Sequence, residues 1–245
     1  MIKDGKSSGG VRDVTRRVHR GRRALAFFSQ KNADLEVRVE SGLELDVGLF
    51  LEADPRVLAY SAQPFFLELE TGGLFERKED FPKRKGVKPR WYTPDFLCRM
   101  QDGSQLAIDA KHSRFHESFE KRRLEIIGAL KQQGIGFCVI AEDAMEATVG
   151  CNLCTMHGLR APCHREFVAA ATAEIEPLLV QAPTWRSVEF ASRLSGGRPA
   201  VLAGILTGVL RADLRRPLFE PETLVTAGHG DLSHFVFLEL PHDGV

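Results

Sequence analysis

Residues 91–113 read WYTPDFLCRMQDGSQLAIDAKHS. Asp102-Gly103 divides two apolar runs, and an Asp-Gly pair in that setting is a strong tight-turn signal, so the stretch predicts a β-hairpin. Asp95 opens one strand. Asp109 and Lys111 lie two apart on the other, so their side chains project from one face while Ala110 points away. Asp95 and Asp109 each lie about seven residues from the turn, and pairing across it brings them together. Two carboxylates converging on one point repel unless a cation sits between them, and hard oxygen ligands select Mg²⁺ or Mn²⁺. A lysine two residues further on can orient water beside that cation and offset charge on a phosphorane-like transition state.

Working outward, Leu43, Val47, Phe50 and Leu51 recur at helical spacing and Asp54-Pro55 stops the run, which predicts a helix over about 41–52 with Glu44 near its start. VLAYSAQPFFLELE (57–70) alternates as strands do, with an interruption at Gln63-Pro64. Beyond the hairpin, residues 115–133 have helical periodicity with Phe119, Leu124, Ile127 and Leu130 on one side, ended by Gly134. IGFCVIAED then reads as a short buried strand, with Cys138 and, in the hairpin, Cys98 as core residues. The order helix, strands, hairpin, helix, strand makes a mixed α/β core of about 110 residues. From 165 onward the runs HREFVAAATAEIEPLLV, WRSVEFASRL and PAVLAGILTGVL read as helices broken at Pro183, Gly196-Gly197 and Pro199. Extended segments follow around Leu214, Leu224 and Phe235–Leu240. Three helices with a hairpin-like tail suggest a small α+β winged-helix-like domain over 165–245, behind a core over 21–150 and a flexible basic arm over 1–20.

The 245 residues hold 33 Lys plus Arg and 33 Asp plus Glu, a balance that argues against a nucleic-acid partner only if the charge is evenly spread. It is not. Residues 1–31 carry nine basic residues against two Asp, and residues 77–90 carry seven against two, so +12 in two segments faces −12 elsewhere. Such local positive potential is the footprint of a phosphate-backbone binder; the alternative is a solvated tail and a solvated loop tip. Arg16, Arg17, Arg20, Arg22 and Arg23 in the arm, with Lys83, Arg84, Lys85, Lys88 and Arg90 in the loop, are the candidate DNA contacts. No apolar run is long enough to span a bilayer, the start lacks a secretory apolar stretch, and five irregularly spaced cysteines do not form a disulfide framework, so a cytoplasmic location is expected.

Pro94-Asp95 followed after a hairpin by Asp109-x-Lys111 resembles the PD-(D/E)xK nuclease motif, and the order of elements around it resembles that superfamily's restriction-endonuclease-like core. Further landmarks narrow the likeness: Glu40-Ser41 and Glu44, Asp54-Pro55 with Val57, Gln63-Pro64, Tyr92-Thr93-Pro94-Asp95-Phe96 and Asp109-Ala110-Lys111. Together they resemble the TnsA endonuclease family, over roughly residues 20–145 and more loosely through LAGILTGVLRADLRRPLFEPETLV (202–225). The resemblance implies that Glu44, Asp95 and Asp109 bind Mg²⁺ or Mn²⁺, that Lys111 supports the nucleophilic water, and that Gln63 lies near the site or against DNA. Family members can carry Gln where Asp109 stands here. It further implies cleavage of one DNA strand at transposon ends, beside a DDE transposase that cuts the other and an AAA+ regulator ATPase. Two rivals stay open: a defence or restriction nuclease on the same core, and a non-catalytic DNA-binding assembly subunit.

Cys151, Cys154, His157 and Cys163, with His164 beyond, invite a zinc reading. The alternative is one helix, GCNLCTMHGLR, with incidental cysteines; it is favoured because a second C-x-x-C is missing. Trp91 and Tyr92 could stack on bases, but beside an apolar strand the packing reading is preferred. His112 and His116 could touch DNA phosphate or lie on a helix surface, and the second reading is preferred.

Overall fold

The computed structural model describes residues 24–82, 86 and 88–241, leaving aside the side chains of His116 and Ser118. The chain is mixed α/β, and its described residues divide into two units: 24–52, Arg56–Ala144 and 239–241 form the first, and Met145–Leu238 with Ala53–Pro55 form the second. The first unit runs β1 (Leu25–Phe28), β2 (Glu36–Val39), α1 (Gly42–Ala53), β3 (Val57–Ala62), β4 (Phe66–Glu68), β5 (Leu74–Phe75), β6 (Trp91–Tyr92), β7 (Phe96–Met100), β8 (Gln105–Ala110), α2 (His116–Lys131) and β9 (Ile135–Ile140).

The Asp-Gly turn sets the central hairpin. Gly103 takes φ +87°, a left-handed conformation open to glycine at little cost, and Asp102 Oδ1 accepts from the Ser104 amide at 2.9 Å. β7 and β8 pair antiparallel from Phe96 opposite Ile108 to Arg99 opposite Gln105. β3 pairs antiparallel with the outer edge of β7, while β9 runs parallel to β8, so the four-stranded sheet has the order β3-β7-β8-β9. A parallel return needs a crossover, which α2 supplies. In β8, Leu106, Ala107, Ile108 and Asp109 are all buried, the pattern of a central strand covered on both faces.

α2 buries Ile126, Ala129 and Leu130 in a core with Phe65, Leu67, Tyr92, Ala107 and Ile135. This corrects the expected face. Leu124 is 65% exposed, because a stripe through Phe119 returns near positions 122–123, 126 and 130, and position 124 falls on the other side. Glu52 of α1 is buried as a structural carboxylate: it accepts from Ser29 Oγ at 2.6 Å, the Gln30 amide at 3.0 Å and Tyr60 Oη at 3.0 Å, tying α1 to β3 and the end of β1.

The second unit runs α3 (Ala147–His157), α4 (Arg165–Gln181), β10 (Thr184–Arg186), α5 (Ser187–Arg193), α6 (Gly197–Leu206), β11 (Leu210–Ala212) and β12 (Leu224–Ala227), with an antiparallel sheet of order β10-β12-β11. The domain edge expected at 150 therefore falls inside α3. That helix belongs with the second unit because the buried Asn152 amide donates to the Leu214 and Arg216 carbonyls, both at 2.9 Å. Pro199 does not break α6 but sits in its first turn, where a missing amide costs no helical bond. The extended segment expected at Phe235–Leu240 is not a strand: Ser233–Phe235 is a 3₁₀ turn, and Glu239 onward belongs to the first unit.

Candidate active site

Asp95 immediately precedes β7, so the hairpin register carries it opposite Asp109, as the distances from the turn predict. The Ala110 amide donates to Asp95 Oδ2 at 2.8 Å, fixing one carboxylate to the backbone beside the other. Asp109 is 1% exposed. Tyr92 Oη donates to its Oδ1 at 2.6 Å, and its Oδ2, 3.4 Å from Lys111 Nζ, has no hydrogen-bond partner among the described residues. Lys111 continues the β8–β9 pairing through its amide, which donates to the Ile140 carbonyl at 2.9 Å, and its ammonium stands 4.8 Å from the centre of the Phe119 ring. Asp109 and Lys111 thus share one face.

Glu44 lies in the first turn of α1, where Ser41 and Glu44 form a capping arrangement. Ser41 Oγ accepts from the Glu44 amide at 3.2 Å and donates to Glu44 Oε1 at 2.7 Å, while the Glu40 amide donates to Oε2 at 2.9 Å. Burial pushes the Glu44 carboxyl above its ordinary range against these hydrogen bonds, with the Glu40 charge adding to the rise and Lys111 opposing it. Asp95 is pushed well above the carboxylate range, first by burial and then by the negative charges of Asp109 and Glu44. Asp95 therefore feels both other acids, yet among the described residues no three carboxylate, imidazole or thiol side chains stand close enough to share one ion. The Asp95–Asp109 pair nevertheless fits a divalent cation chemically. It concentrates repelling negative charge at the end of a hairpin and presents a buried carboxylate oxygen, Asp109 Oδ2, without a hydrogen bond.

Gln63 stands beside this pair through the backbone: its amide donates to the Asp95 carbonyl at 2.9 Å. It takes φ +46°, uncommon for a residue with a side chain, and its buried Oε1 has no hydrogen-bond partner among the described residues.

Of the candidate DNA contacts, Arg16, Arg17, Arg20, Arg22, Arg23, Lys83, Arg84 and Lys85 lie outside the described residues. Lys88 is exposed. Arg90 is engaged by Glu125, Nη2 to Oε2 at 2.5 Å. The cysteine run is helical: Cys151 and Cys154 are exposed on α3, His157 closes that helix, and Cys163 is exposed in the 3₁₀ turn Pro162–His164.

Two features escape a reading of the sequence. Tyr92 reads as packing, and its ring is indeed in the core, but its hydroxyl holds Asp109. A Tyr three residues before the first acid was the available signal. Glu142 braces the loop after Lys111, accepting from the Ser113 amide and Oγ, both at 2.8 Å, and these bonds hold its carboxyl at about 2. Nothing local marks Glu142, because it meets Ser113 only once β9 runs parallel to β8. His112 Nδ1 lies 3.5 Å from the same carboxylate.

No family model matches the chain, and no curated protein matches it in sequence.

Proposed function

We propose that this chain is a divalent-cation-dependent endodeoxyribonuclease of PD-(D/E)xK type, built on a restriction-endonuclease-like core. The observation that carries the reading is the convergence of Asp95, Asp109 and Lys111 at the end of one hairpin, with a buried Asp109 oxygen free of hydrogen bonds. Mg²⁺ or Mn²⁺ held by Asp95 and Asp109, with Glu44 behind them, would supply Lewis-acid polarisation of a phosphodiester and a lowered water pKa. Around it, the chain's own groups have separable tasks. Tyr92 fixes Asp109 through Oδ1, so that Oδ2 is the oxygen offered to the ligand. Lys111 holds positive charge beside that oxygen, where it orients water for attack and offsets the charge that grows on the phosphate oxygens. The Phe119 ring and the Glu142 brace restrict where Lys111 and its loop can go.

The spelling of the motif and its landmarks supports a TnsA-like role: cleavage of one strand at transposon ends, in concert with a DDE transposase and an AAA+ ATPase. Four helices, α3 to α6, with a small antiparallel sheet in the second unit support a winged-helix-like DNA- or partner-binding module. Calorimetric titration of the full chain with Mn²⁺ separates this reading from a non-catalytic assembly subunit. Saturable binding lost in Asp95→Ala is expected; absence of binding, or binding indifferent to Asp95, favours the assembly subunit.

A further inference from the structure

A cleft of about 400 Å³ opens in the first unit, lined by Leu69, Arg90, Trp91, Lys121, Arg122 and Glu125. Three cations face one carboxylate there, and that carboxylate is engaged by Arg90. Arg122 Nη2 donates to the Trp91 carbonyl at 3.0 Å, which anchors the guanidinium and leaves most of its five donors for a ligand. Lys121 is exposed and makes no ion pair among the described residues. The wall at Trp91 is firm, since its ring meets Phe66, Phe75 and Phe81 edge-on at 6.2, 5.6 and 5.5 Å between centroids. β6 connects the cleft to the proposed catalytic centre through the chain: Trp91 borders the cleft, and the next residue, Tyr92, holds Asp109. The Arg122 charge reaches the Tyr92 hydroxyl.

We propose that this cleft is the subsite for a backbone phosphate of the strand entering the catalytic centre, with Arg122 and Lys121 as its phosphate contacts. The proposal rests on the nuclease reading above. A planar guanidinium fixed by one carbonyl suits bidentate contact with phosphate oxygens, a neighbouring ammonium adds a point charge, and the volume admits about one nucleotide.

The test is binding of the full-length protein to a double-stranded oligonucleotide, in Ca²⁺ to hold back cleavage, across a range of salt. Wild type is compared with Lys121→Ala and with Lys121→Ala/Arg122→Ala. Each phosphate contact contributes roughly 0.9 to the slope of log affinity against log salt, so the double variant is expected to lose about 1–2 from the slope and Lys121→Ala about 1. Far-ultraviolet circular dichroism checks the fold, and because Lys121 has no described partner, its variant remains informative if the double variant unfolds. Wild-type slopes in both variants overturn the subsite while the nuclease reading stands. Absence of DNA binding by wild type overturns both. In a parallel titration, a nucleoside monophosphate that binds wild type but not the variants, with DNA slopes unchanged, overturns assignment to a strand in favour of a free nucleotide.

Discussion

Asp109 is the residue on which the site turns, because it is buried as an acid and held by a single neutral donor, Tyr92 Oη at 2.6 Å. Removing that hydroxyl leaves both Asp109 oxygens without a hydrogen bond, which costs about 1–3 kcal/mol. Tyr92→Phe is therefore expected to lower the stability of the metal-free protein by that amount in a denaturant titration, and to weaken Mn²⁺ binding because the carboxylate is no longer aimed. Asp95 predicts a change of opposite sign. Burial and its acidic neighbours raise its carboxyl above the unfolded value, so the native state favours the protonated form. The stability this contributes is complete below the unfolded pKa and is lost as pH rises through the raised folded one. In chelator at neutral pH, Asp95→Asn is expected to melt higher than wild type, since the Asn carbonyl oxygen can still accept from the Ala110 amide without the charge. The gain should vanish in mild acid, and added Mg²⁺ should raise the melting temperature of wild type alone. A variant that melts lower than wild type at neutral pH would show that the acids do not repel as described. This residue-level pattern is legible only in part from the sequence. The spacing of Asp95, Asp109 and Lys111 from one Asp-Gly turn is enough to bring them together, whereas Tyr92 and Glu142 reach the site through pairings that close only in three dimensions.

At the scale of elements, α2 shows where periodicity misleads. Phe119 and Leu130 lie on the packed side as their spacing predicts, but Leu124, which the same reading of helical periodicity places with them, is exposed, while Ile126 is fully buried. The two positions give opposite predictions. Ile126→Ala is expected to cost about 2–5 kcal/mol by loss of buried methyl and methylene groups, and Leu124→Ala to stay within about 0.5 kcal/mol of wild type, both read from urea midpoints. A costly Leu124→Ala would place that face of α2 against a surface in the native protein. The hairpin was more legible than the helix because a turn residue has one job. Gly103 must reach positive φ, and the alternation of β7 follows from it. Segments without such a marker fared worse. Phe235–Leu240 is apolar enough for a strand but begins in a 3₁₀ turn.

For the whole molecule, zero net charge is an average, and the balance of 33 against 33 conceals the basic segments around 1–31 and 77–90. Part of the opposing charge is the acid pair itself. Division into two units was also legible, though not at its edge, because α3 gives no local sign of which unit will bury its Asn152. Among the described residues no helix is long and apolar enough to cross a membrane. The central claim, that the end of the β7–β8 hairpin hydrolyses DNA, is tested most directly by a nicking assay. The full-length protein, its Asp95→Ala and Lys111→Ala variants, Mg²⁺ and transposon-end DNA are combined with and without a DDE transposase. The account predicts one cut strand per end with wild type, a loss of at least about 100-fold in either variant with the fold retained, and no cutting in chelator. Cleavage at the wild-type rate by either variant would contradict it.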